Sequence, residues 1–264
     1  MSPVSVALAK ARADARAALI GYLPVGYPSV DLSIAAMLAL VDGGVDVVEV
    51  GVPYSDPVMD GPTIQQAVDP AVRAGVGMSD VLRAVATLSS AGAAAVVMTY
   101  WNPIERYGVA RFAADLAAVG GAGAITPDLL PDEAAPWISA SDEHDLDRIF
   151  LVAPSSSPQR IAMAARASRG FLYATSTMGV TGARESVNAA AADLVARARA
   201  SGVNMPICVG LGVSNGSQAA EVAAFADGVI VGSALVRRLL ESPDSAGIRA
   251  VRELATELAG GTRR

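Results

Sequence analysis

The sequence predicts an α/β fold, a single (β/α)8 TIM barrel with an N-terminal helix and extra helices, and three observations carry the prediction. Short apolar runs alternate with longer helical stretches from one end of the chain to the other, which is the signature of βαβ units and a parallel sheet. Eight such runs fit within 264 residues, close to the roughly 250 that a closed barrel of this kind occupies. No shift of composition marks a second unit, so residues 1–264 read as one domain. An open doubly wound sheet is the alternative.

In chain order, residues 1–16 read as an amphipathic helix with Val6, Ala9, Ala13 and Ala17 near one face. Ala18–Leu23 is a first strand and Pro24–Pro28 a turn. Ser29–Val41 has helical spacing and stops at Gly43–Gly44. Val45–Val50 is the second strand, a β-branched run too apolar to be half exposed, as expected where both faces of a parallel sheet are covered. Thr63–Ala74 and Ser79–Ser90 are helical and divided by Gly75–Gly77; Ala93–Tyr100 is the third strand, closed by Trp101, Asn102 and Pro103. A helix over Val109–Val119 leads to a short fourth strand at Gly123–Thr126, and a helix over Pro131–Ser141 to the fifth at Arg148–Ala153. Pro158–Ala167 is helical, Gly170–Ala174 is the sixth strand, and a glycine-containing loop runs from Thr175 to Ser186. After a helix at Asn188–Ala200 come the seventh strand, Pro206–Val209, a helix at Ser217–Phe225 and the eighth strand, Gly228–Val231, followed by the last helical segments.

Composition narrows the function classes. Mean hydropathy is positive, yet alanine supplies much of the apolar content and every long apolar window is broken by charge, Gly or Pro, so no membrane span is expected. The N-terminus lacks the ordering of a signal peptide, and a cytoplasmic location is expected. A net charge of −6 without a basic run argues against nucleic acid. The lone Cys208 lies in an apolar run and reads as a buried packing residue; the lone His144, in a polar stretch, reads as solvent-facing. Lys10 is the only lysine and precedes the first strand, which removes a Schiff-base mechanism. One His and one Cys make no catalytic zinc site, though a Mg²⁺ site of carboxylates is not excluded. If a carbon–carbon bond is broken here, carboxylates must do it.

Two carboxylates stand out. Glu49 interrupts the valine run of the second strand, where an ionised group is costly unless paired, protonated or used. Asp60 ends the loop punctuated by Pro53, Pro57, Gly61 and Pro62. Both fall at the C-terminal end of a barrel strand, where such folds work. The alternatives are that Glu49 pairs with a buried arginine and that Asp60 caps the helix starting near Thr63. Gly210-Leu211-Gly212 after the seventh strand and Gly232-Ser233 after the eighth fit a phosphate site built from backbone N–H groups, with Gly182 placed to add a third contact.

With these residues in place the chain resembles the α subunits of tryptophan synthase. The match covers nearly the whole length. Its most specific piece is EVGVPYSDPVMDGPTIQ at Glu49–Gln65, supported by Tyr173 with STMGVTGAR (Ser176–Arg184), GLGVS (Gly210–Ser214), GVIVGSALV (Gly228–Val236) and ALIGYLPVGYPS near the N-terminus. The resemblance implies a retro-aldol cleavage of indole-3-glycerol phosphate to indole and glyceraldehyde 3-phosphate, with no metal and no cofactor in this chain. It assigns proton transfers to Glu49, a hydrogen bond from the indole N1–H to Asp60, and an orienting role to Tyr173. It assigns phosphate binding to Gly182, Gly210, Gly212, Gly232 and Ser233, the indole pocket to Tyr22, Met98, Tyr100 and Leu211, and a closing loop to Thr181. It further implies a β subunit carrying pyridoxal phosphate, an αββα assembly, and contact with that partner through Asp56, Pro57 and Asn102. The chain departs from the family in an N-terminal segment short of aromatic residues, and in Met59, where small residues are common. A stand-alone indole-releasing lyase, another phosphate-handling barrel and a non-catalytic activator of the β enzyme are the competing expectations.

Overall fold

The computed structural model describes residues 1–175 and 184–263, leaving out the side chains of 184–187. Among these residues nine strand segments run β1 (Ala18–Pro24), β2 (Val47–Gly51), β3 (Ala94–Met98), β4 (Gly123–Ile125), β5 (Asp147–Ile149), β6 (Leu151–Val152), β7 (Leu172–Thr175), β8 (Ile207–Gly210) and β9 (Gly228–Val231). They form one parallel sheet in the order β5-β4-β3-β2-β1-β9-β8-β7-β6. Its two ends are consecutive in the chain, with Phe150 alone between them. The predicted fifth strand is thus a single passage, whose first half pairs with β4 and second half with β7. That passage brings the sheet round into a nearly closed barrel.

Alternation along each strand divides the apolar residues into two layers. Val48, Val50, Val97 and Val209 face outward and pack under the helices. Ile20, Val47, Val96, Ile125, Ile149, Phe171, Cys208 and Ile230 face inward and fill the barrel. Cys208 is buried, as the sequence suggests, whereas His144 is half-buried at the C-terminus of its helix.

The floor of the barrel is closed by α1 (Pro3–Ala13). The face it buries carries Val4, Leu8 and Ala11, which join the interior cluster. This corrects the predicted stripe: Val6 is 53% exposed, and Ala17 lies beyond the helix. In this segment short of aromatic residues, aliphatic side chains pack against the barrel interior. Ser2 caps the helix through its hydroxyl, which accepts from Ser5 N–H over 3.2 Å and donates to Asp147 Oδ2 over 2.5 Å.

Several further boundaries differ from the reading of the sequence, and the helix read over Asn188–Ala200 begins at Arg184. Val45 is not strand: its N–H reaches back to the Leu40 carbonyl and closes the preceding helix. Trp101, Asn102 and Pro103, read as the close of the third strand, begin a helix over Trp101–Tyr107, its first N–H held by Asp128 at 2.9 Å. The segment from Pro131 is a 3-10 turn followed by a separate helix at Ala135–Glu143. No helix among the described residues is long and apolar enough to cross a membrane.

Candidate active site

β2 presents Glu49 to the barrel interior because it is two residues from inward-facing Val47, and its register sets it beside Tyr22 of β1 and Val96 of β3. The side chain is 1% exposed. Among the described residues no arginine meets it, and Oε1 has no hydrogen-bond partner. Burial raises its pKa to about 8, so the carboxyl holds its proton at neutral pH. The pairing alternative for Glu49 therefore fails.

Asp60 arrives from the loop between β2 and α3 (Pro62–Arg73). The N-cap of α3 is Gly61, without a side-chain capping bond, so Asp60 is not spent on the helix and lines the cavity instead. Burial raises its pKa to about 6. At neutral pH the pair is divided into one proton-bearing carboxyl and one carboxylate. Titratable neighbours pushed to different values are a hallmark of acid–base sites.

These groups line a cavity of about 340 Å³ at the C-terminal end of the strands, together with Tyr22, Met98, Tyr173, Gly210, Gly212, Gly232 and Ser233. The ring of Tyr22 covers Gly51, where a Cβ would lie 2.5 Å from its hydroxyl oxygen. Tyr173 lies over Gly210 in the same way, 2.7 Å from the position of an added Cβ. Burial raises the pKa of both tyrosines, with the charges of Asp60 and Glu49 adding to it for Tyr22 and that of Glu49 for Tyr173. Gly212 has φ +65, a conformation that side chains other than glycine rarely adopt.

Two predicted pocket residues are elsewhere. Leu211 belongs to the outer layer under the helices, because Gly210 faces the cavity and the next residue must face away. Tyr100 is buried beside the site, but its hydroxyl accepts from Met59 N–H at 2.9 Å and the ring does not line the cavity. Gly182 and Thr181 lie outside the described residues. Met59, Gly61, Ile64, Pro127, Leu151, Thr175 and Ile230 complete the lining and were not picked from the sequence. Alternation could have found Ile230, two residues before Gly232, and Leu151, level with Tyr173; Pro127 carries no such signal. Asp56 is exposed and Pro57 half-buried on the loop that carries Asp60, and Asn102 is exposed in the helix Trp101–Tyr107.

A second cleft, about 380 Å³, includes Arg12, Arg16, Arg199 and Asp227 in its lining and opens near α1. Although larger, it is a weaker candidate. Arg16 is tied to Asp46 and Arg199 to Asp227, and barrels of this kind work at the opposite end. No cluster of three or more His, Cys, Asp or Glu side chains suited to a metal exists among the described residues.

The sequence model of the tryptophan synthase alpha chain family matches residues 8–261. The tryptophan synthase alpha chain of Thermobifida fusca (strain YX) is 60% identical over 259 residues, 97% of this chain and 96% of the relative. That of Mycobacterium tuberculosis (strain ATCC 25618 / H37Rv) is 62% identical over 252 residues, 96% of this chain and 91% of the relative. A solved structure of Mycobacterium tuberculosis tryptophan synthase aligns with a TM-score of 0.93 at 59% identity, over 100% of this chain and 99% of that one. The alpha subunit from Legionella pneumophila str. Paris aligns with a TM-score of 0.90 at 31% identity, over 99% and 98%.

Proposed function

The chain belongs to the tryptophan synthase alpha chain family, and from that premise we propose how its cavity performs the family's reaction. As a member it carries the α-subunit role in tryptophan biosynthesis, a lyase that cleaves indole-3-glycerol phosphate and works with a β subunit. The observation that carries the mechanism is the buried carboxyl of Glu49 at the wall of the cavity, its Oε1 without a hydrogen-bond partner.

Cleavage needs a proton on indole C3, so that the ring can accept the electrons of the breaking bond. It also needs the hydroxyl beside that bond to lose its proton as the aldehyde forms. Glu49 donates the first proton, and the carboxylate so produced takes the second, which returns it to its starting state. Its pKa of about 8 supports the donor role at neutral pH. Asp60, ionised above about pH 6, accepts the indole N1–H and offsets the positive charge that the ring acquires when C3 is protonated. Tyr173 orients Glu49 or the glycerol chain. Gly210, Gly212, Gly232 and Ser233 hold the phosphate through backbone N–H groups, and Gly182 is assigned to the same role. Tyr22 and Met98 flank the indole, and the closing role that the family resemblance implies is assigned to Thr181. The partner carries the pyridoxal phosphate; Asp56, Pro57 and Asn102 meet it, in an αββα assembly located in the cytoplasm.

The test is release of indole from indole-3-glycerol phosphate by the purified chain, alone and with a β subunit. Slow release that accelerates with β is the expected result. No release in either condition would overturn the assignment.

A further inference from the structure

The loop that carries Asp60 has little internal bonding: Val58 N–H meets the Asp56 carbonyl and Asp60 N–H the Pro57 carbonyl. Two side chains from outside the loop, each at the start of a helix, hold the backbone around Asp60 instead, one on each side of it. On one side, Met59 N–H donates to the Tyr100 hydroxyl over 2.9 Å. On the other, Gln65 Nε2, from the first turns of α3, donates to the Asp60 carbonyl over 2.8 Å and to the Pro57 carbonyl over 3.3 Å.

Tyr100 is itself firmly placed. It directly precedes α5 (Trp101–Tyr107), whose first N–H is bound by Asp128. Its carbonyl accepts from Thr99 Oγ1 at 3.0 Å, and its ring tilts against Tyr54 with centroids 5.1 Å apart. Neither Tyr100 nor Gln65 lines the cavity. What they touch is the backbone that aims the carboxylate.

We propose that Tyr100 and Gln65 are positioning residues for Asp60, clamping the peptide groups before and after it so that its carboxylate meets the ring N–H of the substrate. The inference rests on the role given to Asp60 above. A displacement of about 1 Å in such a group is enough to lower turnover by an order of magnitude or more. Burial holds the Tyr100 hydroxyl neutral, its pKa pushed up to about 12, so it acts as a hydrogen-bond acceptor throughout the working pH range.

The experiment is a double-variant cycle in the complex with the β subunit, reading kcat and KM for indole-3-glycerol phosphate. Tyr100→Phe keeps the ring and removes the hydroxyl; it is expected to lower kcat about tenfold, with KM within about threefold because the phosphate loops are untouched. Gln65→Met, on an exposed side chain, is expected to act in the same direction and does not depend on the buried ring for folding. In an Asp60→Asn background each second change should cost less than about twofold, since residues acting through one group are not additive. If the Asp60→Asn turnover lies below detection, the same cycle is read in the dissociation constant of an indole alkyl phosphate lacking the hydroxyl beside the ring. Wild-type kcat in both Tyr100→Phe and Gln65→Met, or an undiminished loss in the Asp60→Asn background, overturns the clamp. Full turnover by Asp60→Asn alone would instead remove the role of Asp60 itself, and the clamp with it.

Discussion

Replacing Glu49 with Gln should remove most of the cleavage activity and favour the fold increasingly as the pH rises, and the second effect follows from the structure. The carboxyl is buried without a partner for Oε1, and burial raises its pKa from 4.5 to about 8. A group whose native pKa lies above its unfolded value binds more protons in the native state. Its contribution to stability is therefore complete below pH 4.5 and is lost as the pH rises toward 8. Each pH unit in that interval is worth about 1.4 kcal/mol. The wild-type fold thus gives up on the order of 1 kcal/mol by about pH 5 and on the order of 4 kcal/mol by about pH 7.5.

Gln gives up nothing to ionisation at either pH. Its amide brings a separate cost of about 1–3 kcal/mol where no partner waits, but that cost does not change with pH. Between about pH 5 and 7.5 the difference in unfolding free energy should move by about 3 kcal/mol in favour of Glu49→Gln. Urea denaturation of both proteins at the two pH values measures it by linear extrapolation. A difference constant to within about 0.5 kcal/mol would refute the reasoning, because it would mean that the native carboxyl is not held protonated. Turnover by the same variant should fall by at least about a hundredfold.

The pH dependence of kcat/KM should be bell-shaped, rising through about 6 as Asp60 ionises and falling through about 8 as Glu49 loses its proton; Asp60→Asn should lose the acid limb, and its persistence would assign that limb to another group. Gly210→Ala drives a methyl into the Tyr173 hydroxyl at 2.7 Å, whereas the nearest atom to a Cβ at Gly232 is Tyr22 Cδ1 at 3.4 Å. The first substitution should therefore lower kcat the more, by about tenfold or greater, and equal kcat values in steady-state assays of the two variants would sink the steric argument.

Glu49 was legible because an acid inside a valine run contradicts its surroundings, and Asp60 because proline and glycine isolate it. The strand–helix alternation was legible for the same reason, that each element carries its own pattern. What escaped depends on partners distant in sequence. The helix Trp101–Tyr107 was hidden by Pro103, read as a breaker although it sits in the first turn, where proline is tolerated. Its anchor, Asp128, lies 27 residues away. The bond from Met59 to Tyr100 spans 41 residues, and no local pattern announces it. Leu211 is a different kind of miss: Gly210 facing the cavity already implied that its neighbour faces away.

The two ends of the barrel handle buried acids in opposite ways. Asp147, two residues from inward-facing Ile149, is 2% exposed and burial pushes its pKa up. The Ser2 hydroxyl donates to it over 2.5 Å, and the charges of Arg169 and Arg148 oppose the rise. At the other end Glu49 has burial as its only cause of shift. Because all the strands run in parallel, their C-terminal ends come together, and there β2, β8 and β9 end on or beside Gly51, Gly210 and Gly232. The rings of Tyr22 and Tyr173 lie over Gly51 and Gly210 and form part of the cavity wall. Among the described residues Glu49 Oε1, at that level, meets no hydrogen-bond partner and faces the cavity. The acid at the floor is answered by the fold, and the acid at the mouth is left to the substrate.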